Sequence, residues 1–303
     1  MLLPLLLSAC APAAPPTGGI VSLNPCSDAV LAQVADPRDV AALSHWSSSP
    51  ASASMDVAVA RRFRSVGDSV EEVLALRPRL VIAGTFLPPA TAQAIEARGI
   101  RLVRLPIARS VAESRAQVRE IALLARQPAR GDALVARIDA SLASARPPAG
   151  SAPVSAVVWQ SGGIVPGPGT LIADLLARTG FASLSAQKGM GQAEHLPLEA
   201  MLVDPPRVIL AAGDPLSEED RLLSHPALAS LTGTRRARLE PSLLWCGGPT
   251  IPRAAARLAA VRRGIAPPPT PSAEEEGAPV AQRLPPLLFR GGGRGVVAAD
   301  RIP

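Results

Sequence analysis

Glu71-Glu72-Val73-Leu74-Ala75-Leu76-Arg77-Pro78-Arg79-Leu80-Val81-Ile82-Ala83-Gly84 returns 128 residues later, without a gap, as Glu199-Ala200-Met201-Leu202-Val203-Asp204-Pro205-Pro206-Arg207-Val208-Ile209-Leu210-Ala211-Ala212. Five pairs are identical: Glu71/Glu199, Leu74/Leu202, Pro78/Pro206, Arg79/Arg207 and Ala83/Ala211. In each copy apolar residues begin at helical spacing, a proline forbids further helix, and a short apolar run follows as a buried parallel strand would. One period much longer than a solenoid unit means two similar lobes rather than an array. The fold class expected is therefore α/β, with two Rossmann-like lobes of parallel sheet.

Working outward, Ile20-Val21-Ser22-Leu23 reads as a strand ended by Asn24-Pro25, with Ser27 or Asp28 capping a helix to about Ala35. Val40 to Ser44 is the next strand, leading into His45-Trp46-Ser47-Ser48-Ser49-Pro50. The first repeat supplies helix 69–76 and strand 79–83. Helix 91–98 and strand 100–105 follow, and this alternation demands parallel pairing. From Ser110 to Ala145, Val111, Val118, Ile121 and Leu124, then Leu134, Ile138 and Leu142, form apolar stripes at helical spacing. This is read as a long helical connector, bent or interrupted at Gln127-Pro128-Ala129-Arg130-Gly131. The second lobe opens on strand 154–159. After a Gly- and Pro-rich turn, Ser161 to Gly169, come helix 170–179, the second repeat with helix 197–203 and strand 207–211, and a helix over 252–263. The domains expected are a leader and tether over 1–19, lobes over 20–109 and 147–264, a bridging helix over 110–146, and a disordered Pro-, Glu- and Gly-rich tail over 265–303.

The 303 residues suffice for two cores. The net charge of +6 rests on 31 basic residues, all arginine except Lys188. They are scattered and not interleaved with aromatics, which weighs against nucleic-acid binding. Met1 to Leu7 is nearly all Leu and leads into Leu7-Ser8-Ala9-Cys10, which resembles a bacterial lipobox with Cys10 as the lipidated residue. The apolar stretch is too short to span a bilayer, and no Lys or Arg precedes it, so a start upstream of Met1 is expected. With Cys10 lipidated, Cys26 and Cys246 remain. They either pair, with a chain-entropy gain of about 5 kcal/mol, or stand as free thiols beside a ligand.

Ligands of open α/β sheets bind beyond the carboxyl ends of strands. The loops in such positions are Asn24-Pro25-Cys26, His45-Trp46-Ser47, Trp159-Gln160-Ser161 and Trp245-Cys246-Gly247. They hold all three tryptophans of a chain with no Tyr and four Phe. Rare indoles at strand exits suggest a flat apolar ligand, with Phe86 after the first repeat strand as a further contact; indoles sealing the lobe edges are the alternative. His45 is the titratable candidate for ligand contact, whereas His195 and His225 beside prolines read as helix starts. Asp68, Asp204 and Asp214 read as turn residues. HExxH and paired CxxC spacings are absent, so no metal site and no resident cofactor are expected. Ser161-Gly162-Gly163 is not a GxSxG elbow, the Gly162 to Gly167 stretch lacks a phosphate-loop Lys, and Cys26 with His45 has no local signature. The chain is expected not to be an enzyme. Glu71 and Glu199 stand at equivalent helix starts, where a carboxylate gains about 0.3–1 kcal/mol from the helix dipole. A matched pair also suits a partner with two-fold symmetry.

Taken together, Ile20 to Pro25, the Glu71 to Ala83 passage and Leu198-Glu199 resemble the substrate-binding proteins of bacterial ABC importers. The class resembled has two Rossmann-like lobes joined by one long helix and serves cobalamin, ferric siderophores and haem; the likeness covers about residues 20–263. The resemblance implies that Glu71 and Glu199 dock onto arginines of a dimeric permease and that His45-Trp46, Trp159 and Trp245 line the cleft. It also implies a stiff hinge with small lobe movements. Cobalamin binders are the nearest subclass. Haem binders often offer a Tyr, which this chain lacks, although His45 could serve, and siderophore binders usually place Arg in the cleft. Cys26 and Cys246 depart from the pattern; a bond between them would tie the lobes across the cleft. The function expected is a periplasmic, lipid-anchored binding protein for a corrinoid, with a ferric-siderophore or haem carrier as the rival. A cysteine-dependent enzyme and a scaffolding lipoprotein are the alternatives from other classes.

Overall fold

The computed structural model describes residues 18–213, 223 and 225–265. Cys10, Asp214 and the tail from 266 lie outside the described residues. The first half runs β1 (Gly18–Ser22), α1 (Pro25–Val34), β2 (Val40–Ser44), α2 (Val57–Ala60), β3 (Ser65–Val66), α3 (Val70–Ala75), β4 (Pro78–Gly84), α4 (Pro89–Glu96) and β5 (Arg101–Leu105). Two helices follow, α5 (Val111–Leu124) and α6 (Pro128–Ala145). The second half runs β6 (Val154–Gln160), β7 (Ile164–Val165), α7 (Leu171–Arg178), β8 (Phe181–Ser183), α8 (Leu184–Gln187), β9 (Glu194–His195), α9 (Leu198–Val203), β10 (Val208–Ala212), β11 (Arg235–Arg238), α10 (Ser242–Trp245) and α11 (Thr250–Arg263).

The first sheet has the order β3-β2-β1-β4-β5 and the second β11-β10-β6-β8, and every pairing in both is parallel. Reversing the second gives β8-β6-β10-β11, which matches β2-β1-β4-β5 in strand order. The repeat strands β4 and β10 thus hold the same inner place in each sheet. Their alternation is also equivalent. Leu80 and Ile82 of β4, like Val208 and Leu210 of β10, enter one apolar core that runs through α1, α5, α6, α7 and α11 and serves both sheets. Val81 on one strand and Ile209 on the other face outer cores. The two lobes therefore share a common middle layer.

In the first repeat, Ser69 Oγ caps α3 by accepting from the Glu72 N–H at 3.2 Å, and the helix stops at the residues before Pro78. The tether expected to reach residue 19 ends earlier, because Gly18 already pairs with Pro78 and its N–H donates to Arg77 O at 3.1 Å. A Cβ at Gly18 would strike that same carbonyl, so only glycine allows the approach. Helix α1 is capped by Asn24, not by Ser27 or Asp28: Asn24 Oδ1 accepts from the N–H of Cys26 at 2.7 Å and of Ser27 at 3.4 Å. His225 does begin a helical turn, its Nδ1 accepting from the Ala227 N–H at 3.2 Å, but His195 lies in β9, paired with Ile164.

The connector is interrupted where the proline indicated, and the interruption is a reversal. Gln127 N–H donates to Ala122 O at 2.7 Å, and Arg126 sits at φ 58°, the left-handed residue that closes such a helix end. Helix α6 then folds back along α5, with Arg119 Nε 2.9 Å from Asp132 Oδ1 and Arg115 paired to Asp139. The connector expected over 110–146, bent or interrupted at Gln127 to Gly131, is thus a helical hairpin. Gly131 lets the pair touch, since a Cβ there would collide with the Ala122 methyl. Among the described residues no helix is long and apolar enough to cross a membrane.

Candidate functional site

The carboxyl ends of β1, β4, β5 and β6 open toward two adjoining cavities of about 280 and 420 Å³. Thr85, Pro106, Ile107, Ala108 and Trp245 line both. The first cavity adds Asn24, Cys26, Phe86, Ser114, Gln117 and Cys246; the second adds Arg109, Gln160, Thr170, Leu171 and Gln192. Walls come from the first half, the helical hairpin and the second half together, so the cleft lies between the two sheets. Its surface is mostly apolar, with Phe86 at 82% and Trp245 at 42% exposure. Amides and hydroxyls supply most of the polar atoms, and Arg109 is the one charged residue among the described lining residues. No His, Tyr or Met is among them. Among the described residues no three His, Cys, Asp or Glu side chains gather to hold a metal.

Of the expected ligand contacts, Asn24, Cys26, Phe86, Gln160, Trp245 and Cys246 line the cleft. Trp159 does not: it is fully buried, and its indole N–H donates to Leu196 O at 3.3 Å. The period of the strand explains the difference. Trp159 shares a face with Val157 in the outer core, while its neighbour Gln160, one residue on, takes the cleft-facing phase. His45 and Trp46 line neither cavity. Their rings meet at 4.3 Å between centroids, and His45 Nδ1 lies 3.9 Å from Asp68 Oδ1 on the other side of the loop.

That displacement follows from Asp28. Its Oδ2 accepts from Ser44 N at 3.1 Å, Ser44 Oγ at 2.5 Å and Ser47 Oγ at 2.7 Å, so the β2 exit is folded as a tight turn over α1 and the intervening rings are turned outward. Asp28 and both serines are buried. Burial pushes the Asp28 carboxyl up from 3.8 to about 7, against the lowering effect of hydrogen bonds from Ser22, Ser44 and Ser47. Reading the sequence placed Asp28 as a helix cap; no local pattern marks a carboxylate that bonds 16 residues ahead.

The residues that sequence reasoning missed lie mainly after β5 and on α5, with Thr85 after β4, Thr170 and Leu171 at the start of α7, and Gln192 before β9. Pro106 to Arg109 follow the strand directly, and the proline that ends it was the available signal. Ser110 Oγ caps α5 through the Glu113 N–H at 3.1 Å, and Glu113 Oε2 accepts from the Arg109 N–H at 2.7 Å, which fixes this loop at the mouth. The Val111 N–H donates to Asp174 Oδ2 at 2.8 Å, binding the start of α5 to α7. Opposite, Trp245 precedes Cys246. The two cysteine Sγ atoms lie 2.07 Å apart and the Cα atoms 5.1 Å apart. Glu71 and Glu199 are both exposed at the second residue of α3 and α9, the matched helices of the repeat.

The family model described as periplasmic binding protein matches residues 20–239. No curated protein sequence matches the chain. Among solved structures, the chain is similar to the periplasmic heme-binding protein RhuT of Roseiflexus sp. RS-1, with TM-score 0.64 and 23% identity over 80% of this chain and 96% of that one. A periplasmic heme-binding protein of Pseudomonas aeruginosa gives TM-score 0.65 and 22% identity over 84% and 96%. The periplasmic vitamin B12 binding protein BtuF of Vibrio cholerae gives 0.63 and 17% over 82% and 97%. At these identities the likeness concerns the fold.

Proposed function

The chain belongs to the periplasmic binding protein family, and from that premise we propose that its cleft captures a corrinoid and delivers it to an ABC permease. Members of the family bind a small molecule and work with ABC permeases; the protein is a solute-binding protein and not an enzyme. The observation that carries the corrinoid reading is the chemistry of the walls. Phe86, Ile107 and Trp245 offer apolar faces to a broad planar ring, while Asn24, Gln117, Gln160 and Gln192 offer amides to an amide-rich periphery. Among the described lining residues none is of the imidazole, phenol or thioether type that would ligate an open haem iron, and a corrinoid brings its own axial ligand.

One observation favours the second reading. Arg109 at the mouth suits the carboxylates of haem or of an anionic siderophore, and four of the similar structures are named as heme binders. Titration of tryptophan emission with cyanocobalamin, haemin and a ferric siderophore separates the two. Cyanocobalamin is expected to quench Trp245 and raise the melting temperature; a shift with haemin alone would replace the corrinoid by haem.

Docking is assigned to Glu71 and Glu199, on the support of their exposure and their equivalent places in the two halves. Leu7-Ser8-Ala9-Cys10 supplies the lipid anchor in this reading, on the strength of its lipobox pattern.

A further inference from the structure

We propose that Cys26 and Cys246 form a disulfide that is a second, redox-sensitive tie between the two halves of the cleft, and that its reduction frees the segment bearing Trp245. The Cα separation of 5.1 Å falls within the range that disulfides span, and the bond would bridge 220 residues of chain. What it joins gives it a role. Cys26 stands in the first turn of α1 at the exit of the first sheet, and Cys246 follows α10 in the second half. The residues after Cys246 are already seated against first-half and connector elements. The Gly248 N–H donates to Ser114 Oγ at 2.7 Å, a Cβ at Gly247 would strike Ser114, and one at Gly248 would press on Val30 of α1. Ser54 Oγ donates to Cys246 Sγ at 2.9 Å from the far side. Segment 246–248 is thus held from α1, from α5 and from the loop before α2, and Trp245, which lines both cavities, hangs from it.

The two sulfurs differ in access. Cys246 is only 3% exposed, whereas Cys26 is half-buried and lines the first cavity, so a reductant reaches the bond at Cys26 through the cleft. The reductant is a dithiol. Its first thiolate attacks Cys26 Sγ and forms a mixed disulfide, and Cys246 leaves as a thiolate that takes up a proton. The second thiol of the reductant, losing its proton, then displaces Cys26, which is protonated in turn. Two electrons pass to the protein and the dithiol becomes a disulfide. After that step, segment 246–248 retains the Gly248 N–H bond to Ser114 Oγ, the Ser54 hydroxyl bond to Cys246 Sγ and packing, without the covalent stop.

The test uses the full chain purified without reductant and needs no cargo, so its outcome is separate from the identity of the ligand. Peptide mapping is expected to find Cys26 and Cys246 in one cross-linked peptide. After reduction with dithiothreitol, amide exchange over 246–248 is expected to accelerate at least tenfold while β4 amides stay protected. Brief treatment with glutathione is expected to leave its adduct on Cys26. Cys26→Ser should reproduce the fast exchange without reductant, and where that variant does not fold, reduced wild-type protein supplies the same readout. Unlinked cysteines in the oxidised protein, unchanged exchange after complete reduction, or an adduct on Cys246 would each overturn the proposal.

Discussion

Asp28→Asn keeps the shape of the side chain and removes its titration, which makes it the most informative single change in the molecule. With a carboxyl held at about 7 when folded and 3.8 when unfolded, the native state binds one proton more than the unfolded state across that interval. Stability therefore falls as pH rises between the two values, by about 1.4 kcal/mol per pH unit, and the stabilisation present below pH 3.8 is lost once the pH passes 7. The total is roughly 4 kcal/mol, and between pH 5 and 7.5 it is about 2.5 kcal/mol, equivalent to about 5–10 °C in melting temperature for a domain of this size. In Asp28→Asn the carboxamide oxygen accepts the same donations from Ser44 and Ser47. Its NH2 group takes the place of Oδ1, which has no hydrogen-bond partner, and that imposes a pH-independent penalty of about 1–3 kcal/mol. Urea unfolding at pH 5.0, 6.0, 7.0 and 7.5 gives the two curves. The wild type is expected to approach or pass below the variant as pH rises. Parallel curves would refute the assignment of a neutral buried carboxyl to this site.

Trp245→Ala is expected to weaken ligand binding at least tenfold with little change in melting temperature. Trp159→Ala should lower stability by about 3–5 kcal/mol, as for any large buried aromatic. Titration and thermal melts on both proteins check this, and a loss of affinity in Trp159→Phe with stability intact would return Trp159 to the cleft. Charge reversal at both Glu71 and Glu199 should leave ligand affinity unchanged and abolish uptake through the permease; normal uptake by that double variant would confine the carboxylates to their own helices. Gly131→Ala should cost about 1–3 kcal/mol by wedging α5 from α6, read as a lower urea midpoint at unchanged slope. An unaltered midpoint would contradict the close crossing at Ala122.

The repeated passage was legible because its physics is local. A helix start with a carboxylate, a proline that ends the helix, and a short apolar run are each decided within a few residues. That is why β4 and β10 lie where the sequence indicated. Strand exits were legible for the same reason, and with them Asn24, Cys26, Gln160 and Trp245. The failures are of another kind. Trp159 was placed in the cleft because it adjoins a strand exit, but a shift of one residue along a strand changes the face, and the face is set by register against β10. His45 and Trp46 were turned outward by Asp28, a partner that no spacing rule links to Ser44 and Ser47.

From the chain alone came the duplication, the alternating α/β order and the places where helices must stop, since these depend on propensity and pattern over a turn or two. Only tertiary structure decided that the connector doubles back, that one core serves both sheets, which side of each strand meets the cleft, and that two cysteines 220 residues apart meet at its floor. Those outcomes depend on which distant surfaces pack together, and burial and register across the fold settle that competition where local propensity is silent.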